Sequence, residues 1–296
     1  MSTPPLLRAI QLGLGALGRI SPSGAAHLGA ALAFRPLRLP PRPWEQAALE
    51  GASEVRLPGP RGVTTGLRWD PAGASRGTVL MLHGWQGRAS QFARLGPLLA
   101  NQGLSAVAVE APGHGGSPRG DGGPAEWVAT LRLAAAALGP LHALVGHSLG
   151  SVAALIAIDG GLEVPRLALF APPAEVRPRM ESAADRLGFT GALRARFVDL
   201  TVGRIVSGGG HADLAESVAR TVPPSIVVHA PDDEDVPFEE GRRLAAAMPE
   251  SRFVTTDAVG HFRILRDPAT LERVVRFLAS TSVEQPEPTA ELEHHR

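Results

Sequence analysis

The chain contains no cysteine and no tyrosine, and none of its 29 basic residues is lysine. Without cysteine there is no disulfide framework, no thiolate nucleophile and no thiolate metal site. Without lysine there is no Schiff base, no phosphate-loop lysine and no serine–lysine pair. The formal net charge is zero over 296 residues, so nothing favours a nucleic acid or another polyanion as partner. No apolar run reaches the eighteen or so residues that cross a bilayer. With 44% hydrophobic residues, the chain suits one large domain that buries roughly three quarters of its unfolded surface.

Residues 1–50 stand apart. Leu6, Ile10, Leu14 and Leu17 fall near helical spacing, which predicts an amphipathic helical segment packed on the core. Attachment to a membrane surface and a cleaved leader are the other readings of this stretch. With no spanning segment and a poor leader pattern, a cytoplasmic location is expected. Gly13, Gly15 and Gly18 spell GxGxxG, yet no strand-like run precedes them and no acid appears before Glu45. A dinucleotide site needs both, so no cofactor is expected from this motif.

From Ser53 onward, strand-like and helix-like stretches alternate. Residues 53–57 and 66–70 are short strand candidates between Gly/Pro turns. The runs at 78–84, 105–111, 141–147, 166–172 and 225–231 are apolar without alternation. Such runs suit strands covered on both faces, so the expected architecture is α/β, a mostly parallel sheet of about eight strands between helix layers. Ser90 is expected to cap a helix ending at Gly103, Pro124 to open one ending at Gly139, and Asp267 with Pro268 to start the last. Leu149–Ile158 is apolar all round and should be buried. Between Pro172 and Pro224 no strand-like run occurs, which places a helical cap insertion at 173–223 between core segments 51–172 and 224–280. Residues 281–296 form a polar tail, and its His294 and His295 receive no role.

Chemistry concentrates at "LVGHSLGS", residues 144–151. A strand ending at His147, a G-x-S-x-G turn and a helix from Leu149 would present Ser148 rather than pack it. Gly146 and Gly150 keep the sharp turn free of side-chain collisions. A serine hydroxyl needs a base. Functional groups of a parallel sheet gather at the carboxyl ends of its strands, which leaves His83, His114, His147, His229 and His261. His261 follows the expected last strand and is the choice; His83, His147 and His229 read as framework. The base needs a carboxylate, and Asp232, Asp233, Glu234 and Asp235 lie just past a buried strand. One of them should face inward.

From about Thr78 to Leu278 the chain resembles the α/β-hydrolase superfamily, in particular its serine carboxylesterases and lipases with a helical cap. The family order of serine, acid and histidine is met by Ser148, the 232–235 cluster and His261. The family's D-x-x-V-P pattern falls on Asp233, Val236 and Pro237, so the resemblance implies Asp233 as the acid, with Asp232 as the alternative. It also implies an oxyanion hole made by the backbone N–H groups of Trp85 and Leu149. Two positions depart from the usual pattern: Ser151 stands where glycine is common, and Glu110 leads "EAPGHGGS" where aspartate is common. His114 in that loop reads as structural.

These residues together imply hydrolysis of a small-molecule carboxylic ester in a mostly apolar pocket under the cap. A lipase or lysophospholipase, a thioesterase, a C–C bond hydrolase or a perhydrolase could use the same residues, and a non-catalytic binding relative is the reading outside enzymes. No metal and no nucleic acid partner is expected.

Overall fold

The computed structural model describes residues 5–38, 40–217, 222–257 and 260–280. Eight strands form one sheet: β1 (Ser53–Gly59), β2 (Gly62–Trp69), β3 (Thr78–Leu82), β4 (Ser105–Val109), β5 (Leu141–His147), β6 (Leu167–Phe170), β7 (Ser225–His229) and β8 (Ser251–Thr255). Their order is β1-β2-β4-β3-β5-β6-β7-β8. β2 runs antiparallel to β1 and β4, and every other neighbouring pair is parallel. The unbroken apolar runs explain the centre: every residue of β4, β6 and β7 is buried, with helices over both faces. β1, at the edge, alternates exposed and half-buried residues instead.

The helices in chain order are α1 (Pro5–Ile20), α2 (Pro22–Ala33), α3 (Pro43–Ala47), α4 (Leu95–Asn101), α5 (Pro124–Leu138), α6 (Leu149–Asp159), α7 (Arg177–Arg186), α8 (Gly191–Ser207), α9 (Leu214–Ser217), α10 (Phe238–Ala247), α11 (Gly260–Arg263) and α12 (Pro268–Ala279). α5 and α6 cover one face of the sheet with a shared cluster that includes Trp127, Leu131, Val152 and Leu155. α4 and α12 cover the other, where Trp69, Phe92, Leu99 and Val274 meet. Each such fully buried large side chain contributes about 1.5–3 kcal/mol relative to exposure. Pro124 and Pro268 each sit at the first helical position, and the Asp267 carboxylate accepts the Thr270 N–H at 2.9 Å.

Two stretches differ from expectation. The segment after Arg88 is not one helix capped by Ser90: a 3-10 turn at Ala89–Phe92 precedes α4. The Ser90 hydroxyl instead donates to Glu45 at 2.8 Å, a carboxylate from α3 that also meets Arg88 at 3.2 Å. A buried carboxylate outcompetes backbone amides for a hydroxyl because the bond is charge-assisted. The second difference is the N-terminal segment, expected as one helical element on the core. Its α1 and α2 form a helical hairpin that packs on the insertion, while Arg38 and Glu45 beyond it lie against the core, Arg38 donating to the Gly113 carbonyl at 3.2 Å and Glu45 accepting from Ser90. Leu14, Ala26 and Ala30 of α1 and α2 share a cluster with Ala184, Phe189, Phe197 and Val198 of the insertion. Small residues permit the approach: a Cβ on Gly29 would lie 2.7 Å from the Phe189 ring, and one on Gly18 2.8 Å from Leu193. The GxGxxG glycines thus lie inside α1, with no strand before them among the described residues.

Candidate active site

β5 ends at His147, and α6 begins at Leu149. Ser148 between them has φ 51° and ψ −118°, a backbone conformation that L residues avoid and that persists only where surroundings enforce it. The enforcement is visible in the flanking glycines. A Cβ on Gly146 would meet the Ser151 Cα at 2.5 Å, and one on Gly84 would meet the Ser148 Cβ at 2.8 Å. The Ser148 N–H donates to the Phe170 carbonyl of β6 at 2.9 Å, which ties the turn to the sheet. Nine of the eleven residues of α6 are buried, and the positive end of its dipole lies at the serine.

Asp233 arrives from the loop beyond β7, and His261 from the short α11 beyond β8. The His261 Nδ1–H donates to Asp233 Oδ2 at 2.8 Å; a carboxylate can only accept, so Nδ1 carries the proton and Nε2 is left with a lone pair. The other oxygen, Asp233 Oδ1, accepts the N–H groups of Asp235 at 2.9 Å and Val236 at 2.8 Å. Burial raises the Asp233 pKa, but hydrogen bonds from His229 and His261, together with the Val236 amide, outweigh it and hold the carboxyl well below its usual range. Asp232, the alternative acid, does something else: its carboxylate accepts the Gly260 N–H at 2.7 Å, anchoring the residue before His261. Ser148, His261, Trp85 and Leu149 all line one cavity of about 880 Å³.

Four further histidines brace the loops around that cavity. His83 donates from Nδ1 to the Gly84 carbonyl at 2.7 Å and accepts the Ala111 N–H on Nε2 at 3.1 Å. His114 accepts the Gln86 N–H at 3.1 Å while its Nδ1 donates to Pro112. His147 donates from Nε2 to the His261 carbonyl at 3.0 Å, and His229 donates to the Val236 carbonyl at 3.0 Å. Burial first, with smaller contributions from neighbouring basic groups, pushes the pKa values of His114 and His147 down to about 3, so both rings are neutral and hold these bonds at ordinary pH. Glu110 uses its extra methylene over aspartate to reach the Ala89 N–H at 3.0 Å, one turn past the Trp85 loop.

Asp233, Asp235 and His261 are the one group among the described residues whose donor atoms come within 4.8 Å of one another in metal-like fashion. His261 Nδ1 is there engaged by Asp233 at 2.8 Å.

The walls of the cavity come from three parts of the chain. The core supplies Trp85 from the loop after β3, Trp127 from α5 and Val152 from α6, the insertion supplies Met180, Leu187 and Ile205, and the N-terminal segment supplies Leu32, Ala33 and Phe34. This last contribution was not foreseen from sequence. Arg204 of α8 stacks over the Phe34 ring at 4.3 Å, joining the N-terminal and insertion walls. The volume lies toward the upper end of ordinary small-molecule sites, and the hairpin supplies one of its walls.

The alpha/beta hydrolase family pattern matches residues 79–274, and the chain belongs to that family. Among curated proteins none matches in sequence. Solved structures with the same fold include a membrane phospholipase A described as a bacterial virulence factor, at TM-score 0.60 and 18% identity, covering 92% of this chain and 97% of that one. The carboxylesterase CesB from Bacillus subtilis aligns at TM-score 0.58 and 15% identity, covering 84% and 98%. The esterase Pf2001 from Pyrococcus furiosus aligns at 0.60 and 16%, covering 82% and 98%. Among the described residues no helix is long and apolar enough to cross a membrane.

Proposed function

We propose that the protein is a serine hydrolase that cleaves carboxylic esters through an acyl-enzyme intermediate. The observation that carries this reading is the Asp233–His261 hydrogen bond of 2.8 Å beside a cavity that His261 shares with the strained Ser148. His261 Nε2 takes the Ser148 proton as Oγ attacks the ester carbonyl, and the Asp233 carboxylate stabilises the imidazolium that forms. The resulting oxyanion accepts hydrogen bonds from the Trp85 and Leu149 amides. In support, neither amide has an acceptor among the described residues, and Gly84 before Trp85 lies so close to the serine that a Cβ there would come within 2.8 Å of the Ser148 Cβ. His261 then protonates the departing alkoxide, and water, activated by the same ring, releases the acid.

Esters suit the arrangement because an alkoxide leaves more readily than an amine anion, and the mostly apolar walls suit an acyl chain. The other acyl chemistries available to these residues share the attack by Ser148. A p-nitrophenyl ester series of increasing chain length, run with the wild-type chain and Ser148→Ala, tests the reading. Turnover is expected in the wild type and a loss on the order of 10⁴-fold or more in the variant. Equal turnover by the variant would overturn the assignment.

A further inference from the structure

The exposed large aliphatic side chains are unevenly placed. Leu6, Leu12, Ile20, Leu28 and Leu37 all fall in residues 5–38; elsewhere among the described residues only Leu133 and Val206 are comparably exposed. On α1, at 100° per residue, Ile10, Leu14 and Leu17 share the arc that meets α2 and the insertion, and Leu14 is buried there. Leu12 lies opposite that arc, Ala9, Ala16 and Ile20 lie on the flank between, and Leu6 continues the arc's spacing at the exposed first turn. Leu6 is 72%, Leu12 69% and Ile20 85% exposed. A helix already seated by one face has no packing reason to be aliphatic on the other.

The charge on this face has one sign. Arg8 and Arg19 are exposed at its margin, and among the described residues neither meets an acidic side chain. Before Glu45 the sequence holds Arg8, Arg19, Arg35, Arg38 and Arg42 and no acid, although the whole chain is neutral. Exposed aliphatic residues bordered on one side by arginine match a lipid surface that carries negative headgroups. With 16 residues, α1 falls short of the roughly 20 that span a bilayer, so it would lie along the interface. The basic segment also reaches the cavity: Arg35 and Arg42 are exposed and line it, just past the Leu32–Phe34 wall.

We propose that the α1–α2 hairpin seats the protein on an anionic lipid surface, with the Arg35 and Arg42 side of the cavity beside the headgroups, and that the esters it hydrolyses reside in that surface. The substrate clause rests on the hydrolase reading above; the docking does not.

Flotation of the full chain with vesicles of phosphatidylcholine alone or with about 30% phosphatidylglycerol tests the docking. Binding to the anionic vesicles only, weakened by salt, is expected. The double variant Leu12→Glu/Ile20→Glu should bind at least about tenfold more weakly, and Arg8→Gln/Arg19→Gln should lose affinity and salt dependence together. None of the four positions lines the cavity, so both variants should hydrolyse a water-soluble short-chain ester as the wild type does, which also reports that they fold. Turnover of an ester embedded in anionic vesicles should fall in step with binding. Absence of flotation, or equal flotation of Leu12→Glu/Ile20→Glu, overturns the proposal. So does self-association that this variant abolishes while vesicle binding is absent, since a second copy would then be what covers the face. Vesicle binding without any ester turnover would refute the hydrolase reading and leave the docking standing.

Discussion

Replacing His147 with glutamine turns the account of the framework histidines into a measurable pH effect. The His147 ring is fully buried, and burial first, then the neighbouring His261 site, lowers its pKa to about 3. An unfolded histidine titrates near 6.5. Between these values the unfolded chain binds a proton that the folded chain refuses, so stability rises with pH across the window and is lost on acidification. One ring of this kind removes about 2 kcal/mol on going from neutral pH to about pH 5, and about 3 kcal/mol by pH 4. His147→Gln keeps an N–H donor for the His261 carbonyl but has no titrating group. The variant should therefore be less stable than wild type at neutral pH, through imperfect packing, and this deficit should shrink by about 2 kcal/mol by pH 5. Asp233 does not mask the effect. Its folded pKa lies below the ordinary range, so its stabilisation is fully present above the unfolded carboxylate value near 3.9 and is lost only in stronger acid. Urea unfolding followed by fluorescence of the four tryptophans at several pH values measures the deficit. A deficit that stays constant from neutral pH to pH 5 would refute the claim that the ring is held neutral.

Two further substitutions probe the site's construction. Gly84→Ala places a Cβ 2.8 Å from that of Ser148 and 3.2 Å from the His147 carbonyl. Something must shift, so stability should fall by about 1–3 kcal/mol and kcat/KM by at least about tenfold, read by thermal unfolding and ester kinetics on the same preparation. Asp233→Asn can still accept the Asp235 and Val236 amides on its carbonyl oxygen, but it turns an N–H₂ toward His261 Nδ1. That selects the tautomer with the proton on Nε2, which cannot accept the serine proton. An on the order of 10³–10⁴-fold loss in kcat with a retained fold is expected; a loss under tenfold would show that Asp233 does not orient the ring.

Much of the sheet was legible because apolar continuity has one cheap solution, a strand covered on both faces. The elbow was legible for a related reason: Gly146 and Gly150 mark where backbones approach, and nothing but close approach requires both. His147 and His229 end β5 and β7 and His83 directly follows β3, and these places are what made all three read as framework. Which carboxylate of "DDED" meets His261 was not decided by the residues themselves, since Asp232 and Asp233 differ only in which way one loop residue turns. The resemblance pointed to Asp233, and the geometry gives Asp232 to the Gly260 amide instead. The N-terminal wall was hidden more deeply. The spacing of Leu6, Ile10, Leu14 and Leu17 foretells a helix with an inner face, but local periodicity carries no information about which distant surface receives it. The glycines at 18 and 29, small where Leu193 and Phe189 cross, were the available signal of close helix contact. Ser90 misled because a serine before an apolar run caps a helix by default, and only the distant Glu45 changes its bond.

The central claim is that the hydroxyl at position 148 is activated by the ring at 261, and covalent labelling addresses it directly. Incubation with a fluorophosphonate, followed by peptide mass mapping, should place a single adduct on Ser148 in the wild-type chain and none in His261→Ala or Ser148→Ala over the same time. An adduct on another residue, or equally fast labelling of Ser148 without the imidazole, would contradict it.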